Sequence, residues 1–270
     1  MTKRREHAAS QVTLVSRTIQ LVEGIAISKH IRGYVVDVKG VGRFQISNRG
    51  HLVRHKRYSS ENKILENFIV GNIQPLLLTL RGHTVLHANV VLVGTKAVAL
   101  MGPSGFGKTS LSISLLMKGC KILSDDLCQL GHYRRKCVVK PYLPYISVAN
   151  ENPFIDILGK TIYEGPIKRW IKLNRGFFQR SPAPITVLYS LRRGKRLHIE
   201  TLHDARAVQA LVENSYKLVS IFDIEKLRAE MQTLAGLVTD GLNVKALYVP
   251  RGWNNVDKAA RMILRDVGKD

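Results

Sequence analysis

The chain has 270 residues, 45% hydrophobic and 23% charged, which excludes collagen, a coiled coil and a disordered tail. Forty-two Lys and Arg against twenty Asp and Glu give a formal charge of +22. Such a field attracts nucleotides, acidic peptides, nucleic acid or anionic lipid without choosing among them. The excess is spread out: residues 1–60 hold twelve basic and three acidic residues, and 164–200 hold nine and two. No run interleaves aromatics with Arg as a single-strand groove does. The charge therefore reads as a solvated basic surface rather than a nucleic-acid footprint.

The most apolar stretch, 68–80, is interrupted by Asn72, Gln74 and Pro75 and falls short of the ~18 residues a membrane helix needs. Basic residues at 1–5 are not followed by an apolar run, so no signal peptide is expected. The expectation is a cytoplasmic protein without membrane insertion. Cys120, Cys128 and Cys137, eight and nine residues apart, fit no zinc pattern and read as reduced thiols.

Residues 1–10 are polar and expected to fray. Short β-like runs at 12–15, 34–38 and 43–46, punctuated by Gly40, Gly42 and Gly50, predict a small antiparallel layer. A helical segment opens at 59–61, with Ile64, Leu65, Phe68 and Ile69 at helical spacing and a break near Pro75. Residues 11–80 are thus expected to form a small β-rich and helical subdomain ahead of a core at 81–270.

Within that core, 87–93 and 97–101 read as two strands joined by a tight turn at 94–96, and so as an antiparallel hairpin. A glycine-rich loop fills 102–107. A helix is predicted over 108–118, stopped by Gly119, then a short strand at 121–124 ending in Asp125-Asp126. Further on, 185–191 and 197–201 resemble a hairpin around Arg193-Gly194. Helices are predicted at 205–219, 224–238 and 256–266, with a last strand at 245–249.

Gly102-Pro103-Ser104-Gly105-Phe106-Gly107-Lys108-Thr109 matches G-x-x-x-x-G-K-[ST] without a gap. Chance yields that bare pattern in about one chain per hundred of this length, and here it lies between an apolar strand and a helix. Glycines allow the turns that aim backbone N–H groups at phosphate oxygens, and the helix start, including Ser110, adds partial positive charge. Lys108 is placed to reach β- and γ-oxygens, and the Thr109 hydroxyl to ligate Mg²⁺. A glycine turn that binds nothing would not require the Lys-Thr pair. A nucleoside triphosphate is the expected ligand.

Asp125-Asp126 follows Lys108 by seventeen residues, at a strand end expected on the same edge as the loop. One carboxylate there can hold Mg²⁺, and a second can accept a hydroxyl proton. Spacing alone reads His87, within a strand, as a structural residue. The signatures of transporter ATPases and of guanine-specific GTPases are absent from the sequence.

The run Val85-Leu86-His87-Ala88-Asn89-Val90, the loop 102–111, and the segment from Gly119 to Ser124-Asp125-Asp126 resemble the catalytic core of HPr kinase/phosphorylase, which shares its arrangement with phosphoenolpyruvate carboxykinase. The close resemblance covers about 45 residues. A weaker similarity extends to the shorter HPr-kinase-like proteins of peptide-tailoring clusters, among them lasso peptide kinases. The resemblance implies an α/β fold with a P-loop core of this type: a mixed sheet, flanking helices and a small N-terminal β-rich subdomain. It implies an ATP- and Mg²⁺-dependent serine kinase acting on a precursor peptide or protein. Lys108 would bind the β- and γ-phosphates, Thr109 and Asp126 the metal, and Asp125 would be the base. His87 would sit near the transferred group. The family's second signature is not recognisable in 140–159, where Glu151 lies at a plausible distance. The sequence leaves open a metabolite kinase, a nucleotide-sensing module that binds a polyanion, and homo-oligomers.

Overall fold

Alternation of apolar and polar residues shapes the N-terminal part of the chain. In the computed structural model, which describes residues 17–22, 25–58, 69–133, 136–216 and 224–268, five strands form an antiparallel meander in chain order. They are β1 (Arg17–Val22), β2 (Ile25–His30), β3 (Gly33–Val38), β4 (Gly42–Ser47) and β5 (Leu52–Arg57). Pairing of Tyr34 with Ile46 and of Val36 with Phe44 puts these buried side chains on one face. Arg54, His55, Lys56 and Arg57 on the edge strand are exposed, a charged edge that discourages further pairing. The expected antiparallel layer is therefore present. The expected strand at 12–15 and the helical onset at 59–68 lie outside the described residues.

The chain divides into two compact units, 1–66 and 67–270. A π-helical turn, Ile69–Ile73, leads into α1 (Gln74–Leu80). Pro75 sits in the first turn of α1, where its missing N–H costs nothing, so the helix starts there instead of breaking. Leu78 packs with Val85 and Leu127, which places α1 in the second unit, so that unit begins ahead of the expected boundary at 80–81.

The second unit is built on a nine-stranded mixed sheet. Its elements in chain order begin with β6 (Thr84–Leu86), β7 (Ala88–Val93), β8 (Lys96–Met101), α2 (Lys108–Leu116), β9 (Lys121–Ser124), β10 (Cys128–Tyr133) and β11 (Lys136–Val139). A three-stranded side sheet follows, from β12 (Tyr145–Ala149), the short α3 (Ile155–Leu158), β13 (Gly159–Glu164) and β14 (Lys168–Leu173). The chain then returns through β15 (Ala183–Arg193), β16 (His198–Leu202), α4 (Asp204–Glu213), α5 (Ile224–Thr239), β17 (Asn243–Val249) and α6 (Trp253–Val267). Strand order is β6-β10-β11-β15-β8-β7-β9, with β17 also on β15 and β16 on β17. Only the pairings of β15 with β8 and β17 are parallel among the described strands.

Period-two alternation gives the sheet two buried faces. Val91, Val98, Leu100 and Tyr189 meet Leu111 and Leu115 of α2 and Ile263 of α6. Ala88, Val90, Ala99 and Leu188 meet Ala207 and Leu211 of α4 and Leu234 of α5. The side sheet contributes Ile146, Val148 and Ile171, which join Ile113 and Leu116 of α2 in a third cluster. Helix α2 is thus buried nearly all round, as its leucine content requires.

The hairpin over 87–101 is observed, with Val93 paired to Lys96. The one expected around Arg193-Gly194 is not: β15 and β16 flank β17, which pairs with both. A Cβ on Gly194 would come within 2.9 Å of Tyr248 Cβ, so the connection crosses the end of β17. A strand from forty residues downstream overrides the local turn signal. Helix α4 ends at Glu213, short of the expected 219, because Ser215 bridges to Leu86. No helix among the described residues is long and apolar enough to cross a membrane. All three cysteines are unbridged, with Cys120 and Cys128 buried.

Candidate active site

Three segments converge because of how β7 pairs. It runs antiparallel to both β8 and β9. The start of β7 therefore shares a sheet edge with the ends of β8 and β9. The residues at that edge are His87, the glycine-rich loop and Asp125-Asp126. The strand after α2 is thus two places from β8, with β7 between them, and not its direct neighbour.

The loop turns on glycines. Gly105 and Gly107 have φ of +79° and +97°, values that L side chains adopt only under strain. Helix α2 starts from Gly107, and its first internal bond runs from Leu111 N–H to the Gly107 carbonyl. The amides of Lys108, Thr109 and Ser110 accordingly have no partner within the helix. Lys108 is 6% exposed, and its Nζ donates to the Gly102 carbonyl at 2.7 Å. Burial pulls its pKa down and the charges of Asp126 and Asp125 pull it partly back, leaving it below the ordinary lysine value. Arg193, at the end of β15, donates to the Gly105 carbonyl at 2.6 Å and covers the Phe106 ring at 5.2 Å.

The two aspartates are fastened by Asn89, which is fully buried on β7. Its Nδ2 donates to Asp125 Oδ1 at 2.7 Å and to Ser112 Oγ on α2 at 3.2 Å. Its Oδ1 accepts the Asp126 N–H at 3.2 Å. The other Asp125 oxygen accepts the Ser147 N–H at 2.7 Å. Asp126 has φ +57°, a left-handed conformation that this amide bond and the Tyr216 hydroxyl, donating to the Asp126 carbonyl at 2.9 Å, hold in place. Asp126 Oδ1 lies 3.3 Å from His87 Nε2. His87 is itself fixed by its N–H donating to the Asn214 carbonyl at 2.7 Å.

The carboxyls are electrostatically unlike. Burial and then the neighbouring Asp126 charge raise the Asp125 pKa well above the usual carboxylate range. Burial also pushes Asp126 up, but the His87 bond and charge, then Lys108 and Lys168, outweigh it and leave Asp126 lowered. Adjacent carboxyls pushed apart in this way hold a proton with unequal affinity, Asp125 more tightly than Asp126.

His87, Lys108, Thr109, Ser110, Asp126 and Lys168 line a single cleft of about 260 Å³, with Ser104, Gly105 and Gly107 also on its wall. Gly102, Pro103 and Phe106 of the loop do not line it. Asp125 lies behind it and lines a second cavity of about 90 Å³, together with Asp126, Ser147 and the aromatic Tyr142, Tyr145 and Trp170. Asn89, Lys168, Tyr216 and Arg193 were given no role by sequence. Asn89 stands inside the conspicuous run at 85–90, but only the register of β7 shows that it faces the aspartates. Lys168 and Arg193 belonged to a basic stretch whose members spacing could not rank. Glu151 is exposed in a turn and lines neither cavity.

Thr109 and Asp126 present oxygen donors to the cleft. No group of three His, Cys, Asp or Glu able to cage a metal occurs among the described residues. That donor set suits Mg²⁺, which takes one or two protein oxygens and fills its octahedron with phosphate and water.

No family model matches the chain, and no curated protein matches it. Among solved structures, the HPr(Ser) kinase/phosphatase from Coxiella burnetii is similar over 68% of this chain and 95% of that one, with 14% identity and a TM-score of 0.38. A likeness that loose carries no argument about function.

Proposed function

We propose that this chain is an Mg²⁺- and ATP-dependent kinase that moves the γ-phosphoryl group to a serine hydroxyl of a peptide or protein, a lasso-type precursor ending in serine being one such acceptor. The observation that carries the reading is the grouping in one cleft of the start of α2, buried Lys108 and Asp126, with Asp125 directly behind it on the wall that Asp126 and Ser147 share with the second cavity.

The free amides at the start of α2 and the Lys108 ammonium bind the phosphate chain. Asp125, its pKa raised by burial and by the neighbouring Asp126 charge, takes the proton of the acceptor hydroxyl. The hydroxyl oxygen bonds to the γ-phosphorus as the bond to the β,γ-bridging oxygen breaks, and ADP leaves. Asp126 stays ionised, oriented by His87. Mg²⁺, held by Thr109 and Asp126, would neutralise charge on the phosphates. Lys168 adds positive charge at the cleft wall, where the transferred group would sit.

The cavity bounded by Asp125 and the aromatic side chains admits the acceptor. No Lys or Arg lines it, so it suits an uncharged or apolar neighbour of the reacting serine better than an acidic peptide. The test is intact mass of serine-ended peptides incubated with protein, Mg²⁺ and ATP. Gain of one phosphoryl group, absent with Asp125→Asn, supports the reading. Binding of ATP with no transfer to peptide or metabolite would instead favour a nucleotide sensor.

A further inference from the structure

The loop 102–110 has cavities on two sides. Gly105, Gly107 and Ser110, on the wall of the aspartate cleft, also line a separate cavity of about 230 Å³. Its remaining walls include Phe106, Leu191, Val249, Pro250, Trp253 and Val256. Among its lining side chains only Ser110 and Arg193 carry polar groups besides the Trp253 indole N–H, and none is a carboxylate or an amide. Trp253 is 40% exposed, with the Phe154 ring tilted against it at 5.7 Å between centroids, so part of the indole is open to a ligand in this cavity.

A phosphate chain whose terminal group met Lys108 and Asp126 would run back along the first turn of α2 toward Ser110, which lines both cavities. Whatever is joined to its inner end would leave the cleft beside this second cavity. The walls accept something flat, apolar and uncharged. We infer that this cavity seats the base of a bound nucleoside triphosphate, stacked on Trp253 and in contact with Phe106; the site rests on the reading of 102–110 as a triphosphate loop. Without a side-chain carboxylate or amide to read exocyclic groups, it takes adenine and guanine alike.

Equilibrium binding of ATP, GTP and inorganic tripolyphosphate to the full chain tests this. ATP and GTP should bind within a few-fold of each other and about tenfold or more tighter than tripolyphosphate, the range of one base–aromatic stack. Trp253→Ala should bring ATP down to the tripolyphosphate affinity without changing the latter, and Trp253→Tyr should restore most of the difference. The two tryptophans of the chain are Trp170 and Trp253, so in Trp170→Phe the remaining indole should be quenched by ATP and not by tripolyphosphate. That readout stands even if Trp253 variants fold poorly. ATP that binds tightly without quenching Trp253, or with no loss in foldable Trp253→Ala, overturns the base site and leaves the loop intact. Tripolyphosphate that does not bind wild-type protein overturns the loop reading, and this site with it.

Discussion

Replacing Asn89 by alanine removes one buried side chain and three hydrogen bonds at once. Those bonds join β7 to Ser112 on α2, to the Asp125 carboxylate and to the Asp126 amide. A neutral bond contributes about 1 kcal/mol net and one to a charged group about 1.5–3 kcal/mol. The variant should therefore be less stable by about 3–5 kcal/mol, measured as a shift in urea midpoint at unchanged m-value. Transfer should fall further than stability alone implies. Asp125 loses its link to the loop helix and Asp126 the bond that holds its left-handed backbone, and a misplacement near 1 Å can cost about 10²-fold. ATP affinity should change little, since Lys108 and the loop amides do not depend on Asn89. Asn89→Asp keeps the shape but turns a donor toward Asp125 into a third carboxylate, and should be no more active. An Asn89→Ala protein that transfers at the wild-type rate, with its urea midpoint unmoved, would refute the positioning role.

Other outcomes follow from the same geometry. His87→Ala should slow transfer about tenfold or more with ATP affinity unchanged, since it orients Asp126 and does not touch the loop; a wild-type rate would make His87 structural. Because the Asp125 pKa is raised, the acid limb of the transfer profile should lie above the usual carboxylate range. Lys168 lowers that pKa, so Lys168→Ala should move the limb further up and reduce the rate at fixed acid pH about two- to fivefold, as for an exposed charge pair; an unmoved limb would contradict the assignment of Asp125 as base. Arg193→Ala loses the bond to the Gly105 carbonyl and the cover on Phe106. Its ATP affinity should fall about tenfold by isothermal titration.

The parts of the fold legible in the sequence are those whose signal is local. The hairpin 88–101, the turn glycines and the leucine spacing of α2 are encoded within a few residues of one another, and the structure reproduces them. Pairings that depend on distant partners were not legible. The turn at Arg193-Gly194 looks like a hairpin until β17 slides between its arms. The side sheet of β12, β13 and β14 was not legible, because its strands are short and β12 pairs with β14 across the intervening α3 and β13 rather than with its neighbour in sequence. At the candidate site the loop and the aspartates stand out as motifs, while Asn89 and Lys168 join them only through strand register and Tyr216 through the bridge of Ser215 to Leu86. Asn89, a polar residue inside the apolar run Ala88–Val93, is the signal that could have found the network, since such a side chain once buried needs partners.

The most direct test of the account is single-turnover transfer from γ-labelled ATP by Asp125→Asn beside wild-type protein, with ATP binding measured on the same samples. The account predicts retained ATP binding and transfer lost by about 10²-fold or more, because the loop is intact and the proton acceptor is gone. Transfer by Asp125→Asn at the wild-type rate would contradict it.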